Sequence, residues 1–207
     1  MTKIYTFNTV VLNDDALFDE YFRQASPYRR GKIEALRFRK DKNLSLGAAA
    51  AMDMGLGEYG LRERDMQYCK NQCGKPCFAE HPEIYFNISH SETMALAVFS
   101  DRPVGCDIEK IREANFKLAE RFLCPEENRY ILSEADPELA FWRVWTLKES
   151  FLKALGTGIG TPMNSFCIKL TEAGAEVIQT IDENEYSFTE YMKDGYRIAV
   201  CENFSKF

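Results

Sequence analysis

The sequence predicts an α+β protein, with helices and antiparallel strands in segregated runs instead of strict alternation. Apolar residues recur at helical spacing in the stretch before Glu83. The period falls to two between Glu83 and Glu109, and helical spacing returns before a last set of strands.

Lys3 to Val11 reads as an opening strand with imperfect alternation. A helix begun by Asn13 or Asp14 places Leu17, Phe18, Tyr21 and Phe22 on one side. Ser26 and Pro27 start the next one, where proline's missing N–H costs nothing and Ile33 and Leu36 supply apolar contacts. The alanines after Gly47 continue as a third, tightly packed helix. Tyr85 to Ser89, Met94 to Phe99 and Val104 to Glu109 read as three strands joined by short polar turns, an antiparallel meander. Helices follow from Asn115 to Leu123, from Pro125, and from a long segment capped by Asp136, with Pro137 at its first position and Gly156 at its end. Strands return near Phe166 to Leu170, Tyr186 to Met192 and Tyr196 to Cys201.

A chain of 207 residues with 45% hydrophobic and 28% charged residues can bury a core, which excludes collagen-like, low-complexity and membrane-spanning classes. No linker tract divides it, and the expected division is into residues 1–102 and 103–207. The 26 Lys and Arg against 32 Asp and Glu give a net charge of −6, which argues against a nucleic-acid partner. Basic charge is instead concentrated from Arg23 to Lys42, where eight basic and two acidic residues carry +6. That patch is either a solvated helix face or a site for a phosphate-rich ligand. Met1 to Asp15 shows no basic region leading into an apolar stretch, and no run approaches the ~18 apolar residues that span a bilayer, so a cytoplasmic location without membrane association is expected. Seven cysteines, an odd number spread over a large chain, are expected as reduced thiols. Cys69, Cys73, Cys77 and His81 recur every fourth residue, a spacing that shares one face only on a helix. Gly74 and Pro76 disfavour that helix, so no metal is expected there.

Asp107 and Glu109 lie two apart in a strand, so both carboxylates leave the same face, roughly 7 Å apart, with Ile108 pointing the other way into the core. Hard oxygen donors that repel one another select a cation such as Mg²⁺, or Mn²⁺ in its place. On the long helix, Trp145, Glu149 and Lys153 recur every four residues with Lys148 beside them, opposite Val144, Leu147, Phe151 and Ala154. An exposed Glu–Lys pair of this kind contributes only about 0.2–0.5 kcal/mol; facing the two strand carboxylates, the same residues would make a site for Mg²⁺ and a polyphosphate. Other templates fail. Gly74 and Lys75 lack the rest of a P-loop, Gly156 and Gly158 follow a helix where a dinucleotide fingerprint follows a strand, and Ser89 and His90 point to opposite faces of a strand.

The ordered segments Gly74-Lys75-Pro76, Phe86-Asn87-Ile88-Ser89-His90-Ser91, Val104 to Glu109 and Trp145 to Lys153, together with Ser26-Pro27 and its basic followers, resemble the signature of the Sfp-type 4'-phosphopantetheinyl transferases. The resemblance implies a pseudo-twofold pair of similar α+β halves, each a small antiparallel sheet packed against helices, with the site between them. It implies transfer of the 4'-phosphopantetheine arm of coenzyme A to a serine of an apo acyl, peptidyl or aryl carrier protein, with release of adenosine 3',5'-bisphosphate by a monomeric enzyme. Carried over by matching positions, Asp107, Glu109 and Glu149 would hold Mg²⁺, with Glu149 also the base, and Lys153 and His90 would contact the pyrophosphate. Arg29 and Lys32 would hold the 3'-phosphate, with Gly74, Lys75 and Ser89 near the nucleotide and Ser45 and Lys148 among the cofactor contacts. Leu44 stands before Ser45 where family members commonly carry arginine, and Lys42 is placed to substitute for it. Two alternatives remain at this point: a noncatalytic coenzyme A or carrier-binding module, and a Mg²⁺-dependent nucleotide phosphohydrolase.

Overall fold

The computed structural model describes residues 1–71, 74–157 and 160–204. They fall into two compact units, Met1–Asn71 with Pro76–Asp101, and residues 74–75 with 102–204. No helix among the described residues is long and apolar enough to cross a membrane.

In the first unit β1 (Lys3–Asn8) ends in a 3-10 turn at Thr9–Asn13, three residues short of the strand end read from the pattern. Asn8 breaks the strand because its side chain accepts from Val10 N at 3.0 Å and starts the turn. Helix α1 (Asp15–Gln24) is capped by Asp14, whose carboxylate accepts from Leu17 N, and α2 (Pro27–Ala35) by Ser26, whose hydroxyl accepts from Arg29 N. Helix α3 (Arg39–Leu56) follows, then the short hairpin β2 (Tyr68–Lys70) and β3 (Pro76–Phe78), which the sequence reading lacked. Strands β4 (Tyr85–Ser91) and β5 (Met94–Ser100) complete an antiparallel sheet of order β1-β5-β4. Ala51, Met52 and Leu56 of α3 pack on Phe86, Ala97 and Phe99, and this apolar layer is what the helix and the sheet have in common.

The second unit repeats that connectivity. Strand β6 (Val104–Lys110) is followed by α4 (Phe116–Phe122), α5 (Pro125–Ser133) and α6 (Pro137–Leu155), then the hairpin β7 (Cys167–Thr171) and β8 (Gly174–Ile178), and finally β9 (Glu185–Lys193) and β10 (Tyr196–Phe204). The sheet order is β6-β10-β9, so in each unit the first strand pairs with the last and the penultimate strand lies outside it. Asp194 and Gly195, at φ 53° and 74°, form the two-residue turn that sets the β9–β10 register. Leu147, Phe151 and Ala154 of α6 pack on Phe166, Ile168, Ala199 and Cys201.

Two expectations are corrected. Strand β6 does not extend a meander with β4 and β5; it pairs with β10, and only β4 and β5 are joined as neighbours. A short polar turn fits either pairing, and β10, far later in the chain, decides it. The thiols are not all reduced, since Cys124 and Cys167 form a disulfide with Cα atoms 6.0 Å apart, joining the start of α5 to β7.

Candidate active site

Strand alternation puts Gly105, Asp107 and Glu109 on one face of β6, with Cys201, Ala199 and Arg197 opposite them on β10. This is the face that α6 covers. A Cβ at Gly105 would collide with Ser150 O and Ala154 N and meet Lys153 C at 2.7 Å, so only glycine lets the helix backbone lie this close. The carboxylates therefore share the helix-covered face of the sheet, while Ile108 on the reverse face is also fully buried.

The close approach brings Lys153 Nζ to 2.7 Å from Asp107 Oδ1, a pair in which the carboxylate is 4% exposed. Glu149 lies one turn earlier on the same helix face. Burial pushes its carboxyl above the usual range; the Lys153 ammonium opposes that and Asp107 adds to it. Burial is the largest single influence on Lys153 and works against its charge, but Asp107, Cys106 and Glu149 together outweigh it and hold the ammonium above the ordinary lysine value. Glu109 is half-buried further along β6.

These three carboxylates are not drawn into a closed ligand shell. Among the described residues only Cys124, Glu127 and Cys167 place three ligand atoms all within 4.8 Å of one another, and Glu127 there is spent on Lys148. The donor set nevertheless suits a hard divalent ion: Asp107 and Glu149 lie about Lys153, Glu109 follows on the same strand face, and carboxylate oxygens are the ligands Mg²⁺ takes.

Lys148 is a correction. Its ammonium is fully buried and donates to Glu127 Oε1 and Oε2 at 2.7 and 2.9 Å and to Phe166 O at 2.7 Å. All three protons are used, so none is left for a phosphate. Glu127 also accepts from Cys124 N and Ile168 N, which makes the pair the knot of α5, α6 and β7. Lys75 is half-buried, and its ammonium donates to Val104 O at 2.7 Å and Lys153 O at 2.6 Å. Desolvation pushes it down to about 8. Gly74 beside it is exposed, at φ 87°.

The remaining candidates lie in the first unit. Arg29, 5% exposed, has its Nε 3.8 Å from Glu63 Oε1 without a hydrogen bond, and Glu63 accepts from Ser26 N, Ser26 Oγ and Tyr68 OH. Burial and the Glu63 charge push the Tyr68 hydroxyl far up. Lys32, a helical turn on, is exposed with its ammonium 4.8 Å over the Tyr28 ring, which stacks on Tyr68 at 4.7 Å. Lys42 and Ser45 are half-buried on α3, Ser89 is buried on β4, and His90 is exposed on the other face of that strand. Sequence reasoning missed Glu63, Tyr68 and Tyr28. Nothing local marks Glu63; Tyr28 follows the Ser26-Pro27 cap directly and is the one of the three that a helix-start signal points toward.

Cys69 and Cys77, both free thiols, face each other across the β2–β3 hairpin, and burial together with a hydrogen bond to Cys69 pushes the Cys77 thiol up to about 11. Cys73 lies outside the described residues, and His81 Nδ1 is 3.2 Å from Glu83 Oε1.

This arrangement, a carboxylate and a lysine clasped between strand and helix beside two further carboxylates, is accompanied by a match to the 4'-phosphopantetheinyl transferase superfamily over residues 103–201, the span that holds all four. The 4'-phosphopantetheinyl transferase Sfp of Bacillus subtilis is 32% identical over 85% of this chain and 81% of its own length. Two others, ffp of Bacillus subtilis and psf-1 of Bacillus pumilus, are 31% and 30% identical over 88% and 91% of the chain and 84% of theirs. A holo-[acyl-carrier-protein] synthase structure from Neisseria meningitidis matches 50% of this chain and 98% of its own at 20% identity and TM-score 0.45. The chain belongs to the 4'-phosphopantetheinyl transferase family.

Proposed function

We propose that this protein transfers the 4'-phosphopantetheine arm of coenzyme A to a serine hydroxyl of an apo acyl, peptidyl or aryl carrier protein, in a Mg²⁺-dependent reaction. The serine oxygen bonds to the phosphorus next to pantetheine as the bond to the bridging oxygen breaks; the serine proton leaves to a base, and adenosine 3',5'-bisphosphate departs with the bridging oxygen. The observation that carries this reading is the Asp107–Lys153 pair with Glu149 beside it, inside the span matched by the family.

Glu149, whose burial raises its proton affinity, accepts the serine proton. Lys153 places a fixed positive charge where the departing bisphosphate develops negative charge. Asp107, Glu109 and Glu149 would hold Mg²⁺, which supplies Lewis-acid neutralisation of the pyrophosphate when bound. Arg29 and Lys32 hold the 3'-phosphate, with Lys42, Ser45, Gly74, Ser89 and His90 as further contacts to coenzyme A. The protein acts in the cytoplasm as a monomer, and its chain divides into halves at residues 1–102 and 103–207.

Intact-mass spectrometry of apo carrier proteins incubated with coenzyme A tests this. The expected result is the mass gain of one phosphopantetheine group, lost with chelator and in Asp107→Asn. Cleavage of coenzyme A at the same rate without carrier would identify a phosphohydrolase, and binding without turnover a noncatalytic module.

A further inference from the structure

The family resemblance implied a place for Lys75 near the nucleotide, yet its ammonium donates to two backbone carbonyls. One belongs to Val104, the residue before Gly105; the other belongs to Lys153, the residue before Ala154. These acceptors flank the contact at which the backbones of β6 and α6 nearly touch. Lys153 O lies in the last turn of α6, where carbonyls have no intrahelical partner and the helix dipole favours a cation. Gly156 N takes the carbonyl of Leu152, so Lys75 supplies the donor for the next carbonyl along. Lys153 is thereby held twice, by its carbonyl to Lys75 and by its ammonium to Asp107.

We propose that Lys75 is a positioning residue for the transfer reaction: it clamps the C-terminal turn of α6 to the start of β6 and so fixes the Lys153 ammonium against Asp107. This rests on the transferase reading given above. Removing the clamp takes the Lys75 donor from two carbonyls and lets the last turn of α6 relax, which shifts Lys153 and leaves Arg29 and Lys32 in place. The consequence is a loss in the rate of the chemical step, since misplacement of a catalytic group by about 1 Å costs on the order of 10²-fold.

Lys75→Met tests it, with folding checked by urea unfolding. The expected result is a kcat lower by about 10- to 100-fold with the KM for coenzyme A within about twofold of wild type, and recovery in Lys75→Arg. In the Lys153→Ala background, Lys75→Met should cost little more, because the two residues act through one group. A raised KM at unchanged kcat makes Lys75 a ligand contact, and additive losses make it independent of Lys153; either result overturns the assignment. Amide exchange over residues 150–155 is read in parallel and needs no activity: protection falls in Lys75→Met and returns in Lys75→Arg. If the wild type transfers nothing while that pattern holds, the transferase reading fails and the clamp stands. Unchanged protection, or failure of both variants to fold, overturns the clamp itself.

Discussion

Gly105→Ala is the smallest change that separates strand from helix in the active-site unit. The new methyl would press on Ser150 O and Ala154 N and lie 2.7 Å from Lys153 C, whereas carbon atoms in contact rest about 3.5–4.0 Å apart. All three obstacles are backbone atoms, so no side chain can swing aside, and α6 must lift from β6 by roughly 1 Å. Overpacking of this kind costs about 1–3 kcal/mol, and a shift of about 1 Å at a catalytic group on the order of 10²-fold in rate. The same movement stretches the 2.7 Å bond between Lys153 and Asp107. The assay is urea unfolding alongside steady-state transfer to a carrier protein: the midpoint falls and kcat drops, with the KM for coenzyme A little changed. A Gly105→Ala protein as stable as wild type to within about 0.5 kcal/mol, and with full kcat, would refute the close-approach argument.

Lys148→Met should cost about 3–5 kcal/mol in unfolding experiments by leaving Glu127 buried and unpaired, with the KM for coenzyme A unchanged in the folded protein. An unaltered stability with a raised KM would return Lys148 to the ligand. Reducing the Cys124–Cys167 bridge should lower the unfolding midpoint, since it closes a separation of 43 residues, for which chain entropy gives a ceiling of about 4 kcal/mol. Thiol counting confirms the reduction, and an unmoved midpoint after it counts against the bridge. Lys75 has its proton affinity depressed in the fold from 10.5 to about 8, so the unfolded chain binds more protons between those values and stability gained from this residue rises with pH across that window. The stability gap between wild type and Lys75→Met should therefore widen from pH 8 toward pH 10.5, and a gap that narrows or stays flat contradicts the depressed proton affinity of Lys75.

What the sequence made legible follows from periodicity. The strict period of two placed Asp107 and Glu109 on one face of β6, and the spacing of four placed Glu149 and Lys153 on one face of α6; both relations depend only on backbone geometry. Periodicity names a face, but not what lies against it. Lys148 sits next to Glu149 in sequence and was read with the charged face, yet its partners, Glu127 on α5 and Phe166 O before β7, come from segments 21 and 18 residues away that leave no mark near it. Arg29 is the same case in the first unit, since the carboxylate that draws it inward is Glu63, supplied by a short turn beyond the end of α3. The +6 patch from Arg23 to Lys42 is therefore not a uniform solvated face: Arg39 and Lys40 are tied to Asp15 and Glu92, Arg29 is withdrawn beside Glu63, and Lys32 stays exposed over Tyr28. Counting charge found the region, but only tertiary partners decide which of its cations can meet a phosphate. Of the two assigned to the 3'-phosphate, Lys32 is the one presented to solvent, and Arg29 would have to share its guanidinium between the phosphate and Glu63.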